Sequence, residues 1–355
     1  MIDLDDLGQI SNLDKGNVLG SIQRLGEQIS QAWSEVNELR TPDSCSLAKN
    51  VVITGMGGSA LGGRIVDSLV YDRVRVPIET LTEFVLPNYT DKNTLVIVSS
   101  YSGNTEETMS AAHEALAKGA QIFGITTGGK LKVFLEENNL PGYIFSASNN
   151  PSGQPRMALG YSVSSVLALL SKCQFIHLTD NEIGQAVSNL NSLSQEFDIR
   201  NPQKVNIAKK LAKKLKGKIP VLIASEHLVG AGHAVKNQFN ETAKTFSTLF
   251  DLPELNHHLM EGLRNPAEVK SYLHFLFLES LLYSNEVQKR YPLTKEVVEK
   301  NEVEYSSYVL KSSKKLDQIF ELLCLGAYLS FYLAMLYDID PQPIPWVDWF
   351  KDQLG

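Results

Sequence analysis

The fold is decided by the segment Val51-Val52-Ile53-Thr54-Gly55-Met56-Gly57-Gly58-Ser59-Ala60, a short hydrophobic run followed by a glycine-rich loop. The pattern recurs at Leu95-Val96-Ile97-Val98-Ser99-Ser100-Tyr101-Ser102-Gly103-Asn104-Thr105. Each run predicts a buried β-strand that ends in a loop and leads into a helix. The first N–H groups of such a helix point outward at the positive end of its dipole, and glycine lets an anion approach them closely.

Two such loops in one parallel sheet predict a shared pocket for a phosphate group. Serine and threonine are also favoured N-caps, so their hydroxyl groups could merely cap the two helices. Capping accounts for one loop, but not for two loops this dense in glycine and serine at successive strand ends, where α/β sheets bind ligands. We therefore expect a phosphorylated small molecule. The candidate phosphate ligands are Gly57, Gly58, Ser59, Ser100, Ser102 and Thr105.

Strand and helix patterns alternate from residue 51 onward. This alternation predicts an α/β fold with a parallel, doubly wound sheet. Strands are predicted at 51–54, 78–81, 94–98, 121–126 and 143–145, with helices at 106–118 and 158–173.

A second strand–loop–helix unit begins at residue 219 and passes through Ser225-Glu226-His227. A helix is predicted over 229–250, strands over 272–278 and 302–308, and helices near 285–301 and 314–337. The chain is therefore predicted to form two tandem α/β domains, each a parallel sheet between helical layers. The predicted ranges are 1–48 for a helical extension on the first domain, 49–180 for that domain, 181–200 for a helical linker and 201–355 for the second domain.

The composition is that of a soluble globular protein, with 43% hydrophobic and 21% charged residues among 355. A formal charge of -7 argues against nucleic acid as the main partner. Cys45, Cys173 and Cys324 show neither metal-ligand spacing nor a disulfide framework, so free thiols in a reducing cytosol are expected. The N-terminus lacks an apolar signal core, and the apolar run 322–337 is too short to span a bilayer. A cytoplasmic protein without a membrane partner is predicted.

Arg156 lies between a proline-containing loop and the start of a helix, in Gln154-Pro155-Arg156. A permanent cation at that place could stabilise a developing oxyanion. The alternative is an ordinary surface arginine.

Glu241 and His257 are candidates for proton transfer. A carboxylate partly buried in an apolar helix has a raised pKa and suits a general base, whereas an exposed Glu241 would pair with Lys244 on the same helix. His257 could shuttle protons near neutral pH, and the adjacent His258 leaves the choice between them open. The remaining histidines form no metal-ligand cluster, so no metal is predicted.

Five motifs in order resemble those of the bifunctional phosphoglucose/phosphomannose isomerases, which belong to the sugar isomerase (SIS) domain superfamily. The resemblance extends from about residue 45 to the end of the chain. The serine loop alone would indicate only the superfamily. The motifs are Gly55-Met-Gly-Gly-Ser59, Ser100-Tyr-Ser-Gly-Asn-Thr105, Gln154-Pro-Arg156, Asn240-Glu241 and Pro253-Glu-Leu-Asn-His257.

The resemblance implies two SIS domains and an aldose–ketose isomerase acting on a hexose 6-phosphate through a cis-enediolate. It assigns the phosphate to Ser59, Ser100, Ser102 and Thr105, and stabilisation of the enediolate to Arg156. It assigns proton transfer between C1 and C2 to Glu241, and ring opening to His257, which in the family comes from the neighbouring subunit. The implied protein is a homodimer without metal or organic cofactor. Because an enediolate loses the C2 configuration, glucose 6-phosphate and mannose 6-phosphate could share it.

The chain departs from the family at Asp340-Pro341-Gln342-Pro343, where the resemblance leads us to expect Asp-Pro-Thr-Pro. The bulkier Gln342 predicts a preference for glucose 6-phosphate over mannose 6-phosphate. An exposed Gln342 without effect on specificity is the alternative. Lys351 lies near enough to the C-terminus to reach the pocket, although a surface lysine is the favoured interpretation.

Two other functions compete with catalysis. A non-catalytic SIS-domain regulator would keep the phosphate loops but would normally lack Arg156, Glu241 and His257 and carry a DNA-binding domain. A dinucleotide-binding enzyme would need an acidic residue after the strand that follows the glycine loop, and none is well placed.

Overall fold

The computed structural model describes residues 2–42 and 44–354. They form two compact units. The first unit is Arg24–Ser188, and the second combines the chain up to Gln23 with the chain from Asn189 onward. One parallel β-sheet lies at the centre of each unit.

The elements of the described residues are numbered in chain order. The α-helices are α1 Leu7–Leu13, α2 Val18–Gln23, α3 Leu25–Glu38, α4 Gly58–Val70, α5 Glu106–Ala117, α6 Gly129–Glu137, α7 Leu159–Lys172, α8 Asp180–Phe197, α9 Ile207–Leu215, α10 Val229–Glu241, α11 Leu259–Gly262, α12 Val269–Tyr272, α13 Asn285–Lys300, α14 Lys315–Leu336 and α15 Pro345–Leu354. The strands are β1 Asn50–Thr54, β2 Ile78–Leu81, β3 Thr94–Ser99, β4 Gln121–Thr126, β5 Gly142–Ile144, β6 Ile219–Ser225, β7 Thr248–Leu252, β8 Leu273–Glu279 and β9 Glu304–Val309.

The sheet of the first unit has the strand order β2-β1-β3-β4-β5, with every pair parallel. Strand β3 is buried along its whole length, because helices cover both faces of the sheet. Helices α5 and α6 pack on the face that carries Val52 and Val96, and α4 packs on the opposite face at Ile53. The predicted doubly wound sheet is confirmed, and its winding reverses between β1 and β3.

The sheet of the second unit has the order β7-β6-β8-β9 and is also parallel. Helix α14 is the core of this unit and packs against α2, α9 and α10. Gly326 permits the close approach of α10, since a Cβ there would lie 2.3 Å from a methyl group of Val235. This close packing against the buried helix α14 fixes the position of α10.

Helix α14 is long and apolar enough to cross a membrane by length and composition, and its most apolar window is entirely buried inside the protein. As predicted, the helix covers nearly the whole of 314–337, so it extends well before the apolar run 322–337, which by itself is too short to span a bilayer. Complete burial is what a core helix of a globular unit shows.

The N-terminal segment, expected to be one extension on the first domain, is divided between the two units. Helices α1 and α2 belong to the second unit, where α2 packs on α14. Helix α3 belongs to the first unit and packs along α7. The chain breaks between α2 and α3 at Arg24, where the backbone leaves helical geometry. Both sheets lie within the two ranges proposed for the domains, 49–180 and 201–355.

The helix predicted over 229–250 is wrong in its second half. Helix α10 ends at Glu241, and Thr248–Leu252 instead forms β7, which pairs with β6. A short apolar run does not distinguish strand from helix by its own pattern. The pairing partner, distant in sequence, decides the structure here.

Two of the three cysteines are not free thiols. A disulfide joins Cys45 to Cys173, which lie 128 residues apart in sequence and 5.3 Å apart between Cα atoms. The expectation of three free thiols is therefore wrong, since the spacing along the chain conceals a pair brought together by the fold. Cys324 is free and buried, and burial raises its pKa to about 12.

Lys209 connects the N-terminal segment to α9. Its side chain is fully buried, and its Nζ donates to Asp5 Oδ1 at 2.9 Å and to the Ile199 carbonyl at 2.8 Å. Partial burial alone would raise the pKa of Asp5, but hydrogen bonds from Lys209 and from the Gln203 N–H outweigh burial and lower it. This contact ties α1 and α2 to the second unit.

Lys209→Met is expected to lower the free energy of unfolding by about 1–3 kcal/mol, because it removes a buried donor from a carboxylate and a carbonyl. Urea unfolding midpoints measure the loss. Lys210→Met, an exposed neighbour on the same helix, should change stability by less than about 0.5 kcal/mol. Because the pKa of Asp5 is lowered, its contribution is present above about pH 4 and is lost as pH falls through the folded-state pKa. Equal midpoints for the two variants at pH 7 would contradict the assignment.

Candidate active site

The first glycine loop joins β1 to α4. Gly57 is the N-cap of α4 and has φ +50°, a left-handed conformation that favours glycine. No side chain caps this helix. Ser59 is nearly buried in the first turn, with 8% of its surface exposed. The N-terminus of α4 is thus open to an external acceptor at Gly57 and Gly58.

The second loop joins β3 to α5. The buried Ser100 hydroxyl group lies 2.9 Å from Thr105 Oγ1 and accepts a hydrogen bond from the Gly103 N–H at 3.1 Å. Thr105 is the N-cap residue of α5, but its side chain bonds no N–H group of the first turn. The exposed Ser102 hydroxyl accepts from the Asn104 N–H at 3.3 Å. Helix capping therefore does not explain Thr105, and α5 also begins without a side-chain cap.

The two loops are adjacent because β1 and β3 are paired neighbours in the sheet. The Tyr101 N–H donates to Ser59 Oγ at 3.0 Å and bridges them directly. This is the point where the winding reverses, which is where open α/β sheets bind ligands. The six loop residues predicted from the sequence therefore come from two loops that meet at one edge of the sheet.

Arg156 is brought to the same edge by the loop before α7. A Cβ on Gly58 would lie 2.7 Å from the Pro155 carbonyl oxygen and 3.1 Å from the Arg156 amide nitrogen, so the two backbones are in contact. Only 1% of Arg156 is exposed, and its Nη1 donates to Gln154 Oε1 at 2.7 Å. The alternative of a surface arginine is wrong. The loop that carries this buried cation therefore lies against the start of α4, which has no side-chain cap.

Gln28 of helix α3 holds the loop that carries Arg156 in place. The buried Gln28 side chain donates through Nε2 to the carbonyls of Met157 at 2.8 Å and Asn149 at 3.0 Å. Its Oε1 accepts from the Gly160 N–H at 3.2 Å. One glutamine therefore fixes the loop on both sides of Arg156.

A small cavity of about 10 Å³ lies beneath the loops and is lined in part by Ser59, Tyr101, Tyr161 and Ser162. Burial raises the pKa of both tyrosines, which keeps their phenol groups protonated. The volume suits about one water molecule. The cavity is therefore too small to hold a ligand larger than water.

A side chain bridges the second sheet at the edge that corresponds to the two loops of the first sheet. Its winding reverses between β6 and β8, and Glu226 follows β6 with φ +45°. The Glu226 carboxylate accepts from the N–H of Ser284, the N-cap residue of α13, at 3.0 and 3.2 Å. The second sheet therefore has a carboxylate hydrogen-bonded to the backbone at its own reversal point.

Glu241 is the last residue of α10 and is half-buried. The preceding Asn240 fixes the following loop, since its Nδ2 donates to Ser247 Oγ at 3.0 Å. Lys244 lies outside the helix, with φ +48°, and its ammonium group bonds the carbonyls of Thr242, Asp340 and Pro341. Lys244 therefore does not lie one helical turn after Glu241, as a pair on the same helix would require.

His257 ends a short 3-10 turn, Glu254–His257, and is exposed. The turn is anchored by the buried Leu255 and by Asn256, whose Nδ2 donates to Thr294 Oγ1 at 2.8 Å. His258 Nε2 lies 2.9 Å from Glu254 Oε2. Because His258 is engaged within its own turn, His257 is the better placed of the two to meet a substrate.

Gln342 is half-buried, and its N–H donates to Asp340 Oδ1 at 3.0 Å. Its side chain lies against the backbone of Gly16, since a Cβ there would be 2.2 Å from the Gln342 Cδ. The alternative of a fully exposed glutamine is therefore wrong. Lys351 is exposed on α15.

The structure brings together the candidates of the first unit at one sheet edge, and it places Glu241, His257, Gln342 and Lys351 in the second unit. Sequence reasoning missed the residues that link these candidates. Asn150 donates through Nδ2 to the Tyr101 hydroxyl at 3.0 Å and to the Gln154 carbonyl at 3.0 Å. The position of Tyr101 between two candidate serines was a usable signal, whereas the contacts of Asn150 depend on the fold. Residues 2–42 and 44–354 contain no group of three or more His, Cys, Asp or Glu placed to bind a metal ion.

Known structures and family models agree on the class of protein. The fold matches a hypothetical protein from Thermus thermophilus with a TM-score of 0.75 and 15% identity, covering 98% of this chain and 90% of that chain. At that identity the likeness shows the fold alone. Residues 204–354 match the family described as the bacterial phospho-glucose isomerase C-terminal SIS domain. The fold and the second-unit match define a protein of the SIS-domain class.

Curated relatives identify the family within this class. The chain is 35% identical to the bifunctional phosphoglucose/phosphomannose isomerase of Caldicellulosiruptor bescii, over 94% of this chain and 98% of the relative. It is 30% identical to the protein of the same name from Thermoplasma acidophilum, over 86% of this chain and 90% of the relative. The chain belongs to the bifunctional phosphoglucose/phosphomannose isomerase family.

Gly58→Ala is expected to raise the dissociation constant for glucose 6-phosphate about tenfold, because the added methyl group overlaps fixed backbone and displaces the Arg156 loop, at a cost of ~1–3 kcal/mol. Isothermal titration calorimetry measures the change. Gly184→Ala in α8 is the matched control, since no atom lies within 4 Å of its added Cβ. Unchanged affinity in Gly58→Ala would show that the two backbones need not touch for the ligand to bind.

Proposed function

We propose that this chain is an aldose–ketose isomerase that interconverts glucose 6-phosphate and fructose 6-phosphate. The observation that carries the proposal is the buried Arg156, on a loop whose backbone contacts Gly58 at the start of α4, a helix that like α5 begins without a side-chain cap. This arrangement occurs in a chain 35% identical to a named isomerase along nearly its whole length. The enzyme names of the relatives favour catalysis over the non-catalytic regulator.

The substrate phosphate binds at the two loops. The N–H groups of Gly57 and Gly58 and the hydroxyl group of Ser59 form one side, at the start of α4. Ser100, Ser102 and Thr105 form the other. The three anionic oxygens of the phosphate then accept hydrogen bonds at the starts of α4 and α5, in place of side-chain caps. This places negative charge at the positive ends of both helix dipoles.

The reaction consists of ring opening followed by two proton transfers. His257 transfers a proton as the ring C–O bond breaks, which yields the open-chain aldose. Glu241 then removes the proton from C2, and the electron pair forms the C1–C2 double bond of a cis-enediolate. The proton returns from Glu241 to C1 while the O2 hydroxyl proton passes to O1, which gives the ketose and regenerates the base.

Arg156 stabilises the enediolate oxygens. Its guanidinium group is buried and bonded to Gln154, so its direction is set before the substrate arrives. A preorganised charge in a partly dry site stabilises a developing anion more than water does. Neither proton transfer calls for a metal or an organic cofactor, and the proposed location is the cytoplasm.

Glu241 is suited to the base by its place at the end of α10. A carboxylate at the C-terminal end of a helix lies at the negative end of the dipole, where uptake of a proton is favoured. Its half-buried position also limits competing water.

We propose that the active form is a homodimer in which His257 serves the site of the neighbouring subunit. The exposure of His257 on a turn anchored by Leu255 and Asn256 supports this role, because the imidazole projects from a fixed support. Gln342 is proposed to favour glucose 6-phosphate over mannose 6-phosphate by its bulk. Lys351 remains a possible substrate contact on α15.

Glu241→Gln is expected to lower kcat at least 100-fold while leaving the affinity for glucose 6-phosphate within about threefold, because it removes the base but not the phosphate site. Coupled detection of fructose 6-phosphate measures the rate. The exposed Glu299→Gln on α13 is the control and should retain full activity. A loss below about tenfold would show that another group takes the C2 proton.

Mixed dimers test the origin of His257. Glu241→Gln and His257→Asn should each be nearly inactive, whereas co-expression should restore about a quarter of the wild-type activity, since half of a random mixture is heterodimer and each heterodimer has one intact site. Purification through two different tags isolates the heterodimer. Isolated heterodimers without activity would place His257 in the site of its own subunit.

A further inference from the structure

The Gln342 segment is held by a residue that the proposed reaction does not use. Lys244 follows α10, three positions after Glu241 along the chain. The residues on either side of Lys244 are buried, with 1% of Ala243 and 8% of Thr245 exposed. The Thr245 N–H donates to the Phe239 carbonyl at 3.0 Å, which ties the loop back to α10. The backbone that carries Lys244 is therefore fixed to the helix that carries Glu241.

The Lys244 ammonium group bonds three backbone carbonyls. Its Nζ lies 3.2 Å from the Thr242 oxygen, 3.0 Å from the Asp340 oxygen and 3.1 Å from the Pro341 oxygen. An ammonium group has three donors, so it can bond several carbonyls at once. Charged donors give stronger hydrogen bonds than neutral ones. One side chain thus joins the end of α10 to the segment between α14 and α15.

The joined segment carries Gln342. Asp340 and Pro341 immediately precede it, and the Asp340 side chain accepts its N–H at 3.0 Å. On another side, Gly16 of the α1–α2 connection lies against the Gln342 side chain. Lys244 and Gly16 together define where this side chain sits.

We propose that Lys244 is a positioning residue that sets the location of Gln342 relative to Glu241 and thereby the choice between glucose 6-phosphate and mannose 6-phosphate. This inference rests on the proposed function. Substrate choice in an enediolate mechanism depends on pocket shape, and pocket shape here depends on the distance between α10 and the Gln342 segment. A lysine is suited to this task because its three donors meet carbonyls from two separate stretches of chain.

Hydrogen exchange tests the anchor without using activity. In Lys244→Met, amides in the segment 338–344 are expected to exchange about tenfold faster than in the wild type, because the charged hydrogen bonds that close it are lost. Amides of β6 and β8 should be unchanged. Lys210→Met, an exposed lysine on α9, is the control. Unchanged exchange over 338–344 in Lys244→Met would overturn the anchor.

A double-mutant cycle tests the effect on specificity. The readout is the ratio of kcat/KM for glucose 6-phosphate to that for mannose 6-phosphate in the wild type, Gln342→Thr, Lys244→Met and the double variant. Gln342→Thr should lower this ratio in the wild-type background. In the Lys244→Met background, the same substitution should change the logarithm of the ratio by less than about half as much. Lys244→Arg should restore part of the ratio, since a guanidinium group can still donate to several carbonyls. Additive effects of the two substitutions would overturn the positioning role.

The exchange and kinetic experiments together distinguish a wrong role for Lys244 from a wrong proposed function. A wild-type protein that isomerises neither substrate would refute the proposed function, while the exchange experiment would still decide whether Lys244 anchors the segment. Faster exchange together with an unchanged substrate ratio would refute positioning for specificity and leave the isomerase intact.

Discussion

The site of the first unit depends on the pairing of β1 with β3 in a parallel sheet. This pairing brings two chain segments, separated by β2 and its connections, to the same sheet edge. It also brings the beginnings of α4 and α5 together, both without side-chain caps. Unbonded N–H groups at a helix start are costly where no acceptor reaches them, and the proposed function supplies that acceptor as the substrate phosphate. The Arg156 loop and the Gln28 support are arranged around that sheet edge.

The second unit repeats the sheet but not the opening. Glu226 supplies a carboxylate to the backbone N–H of Ser284 at the start of α13. The two units share a strand order over their first four strands. Under the proposed function the similar folds have distinct tasks, with anion binding in the first unit and Glu241, His257 and Gln342 acting from the second.

The fold class was largely predictable because buried parallel strands have continuous apolar runs with glycine or serine at their ends. The meeting of the two glycine- and serine-rich loops at one sheet edge was predictable for the same reason, and the sequence motifs pointed to the family that the comparisons confirm. Strand β7 was missed because its pairing with β6 depends on contacts distant in sequence. The Cys45–Cys173 disulfide, the burial of Arg156 and the role of Lys244 were beyond prediction for a related reason. Each arises from neighbours that the chain brings together only after folding.

The division of the N-terminal segment has a consequence for biosynthesis. Since α1 and α2 belong with the chain from Asn189 onward, the first unit is an insertion within the second. During synthesis the first unit is complete once Ser188 has left the ribosome, whereas α2 must wait for α14 before its apolar face is covered. Helix α2 and Gly16 are thus made before the first unit but find their partners, α14 and Gln342, only after it.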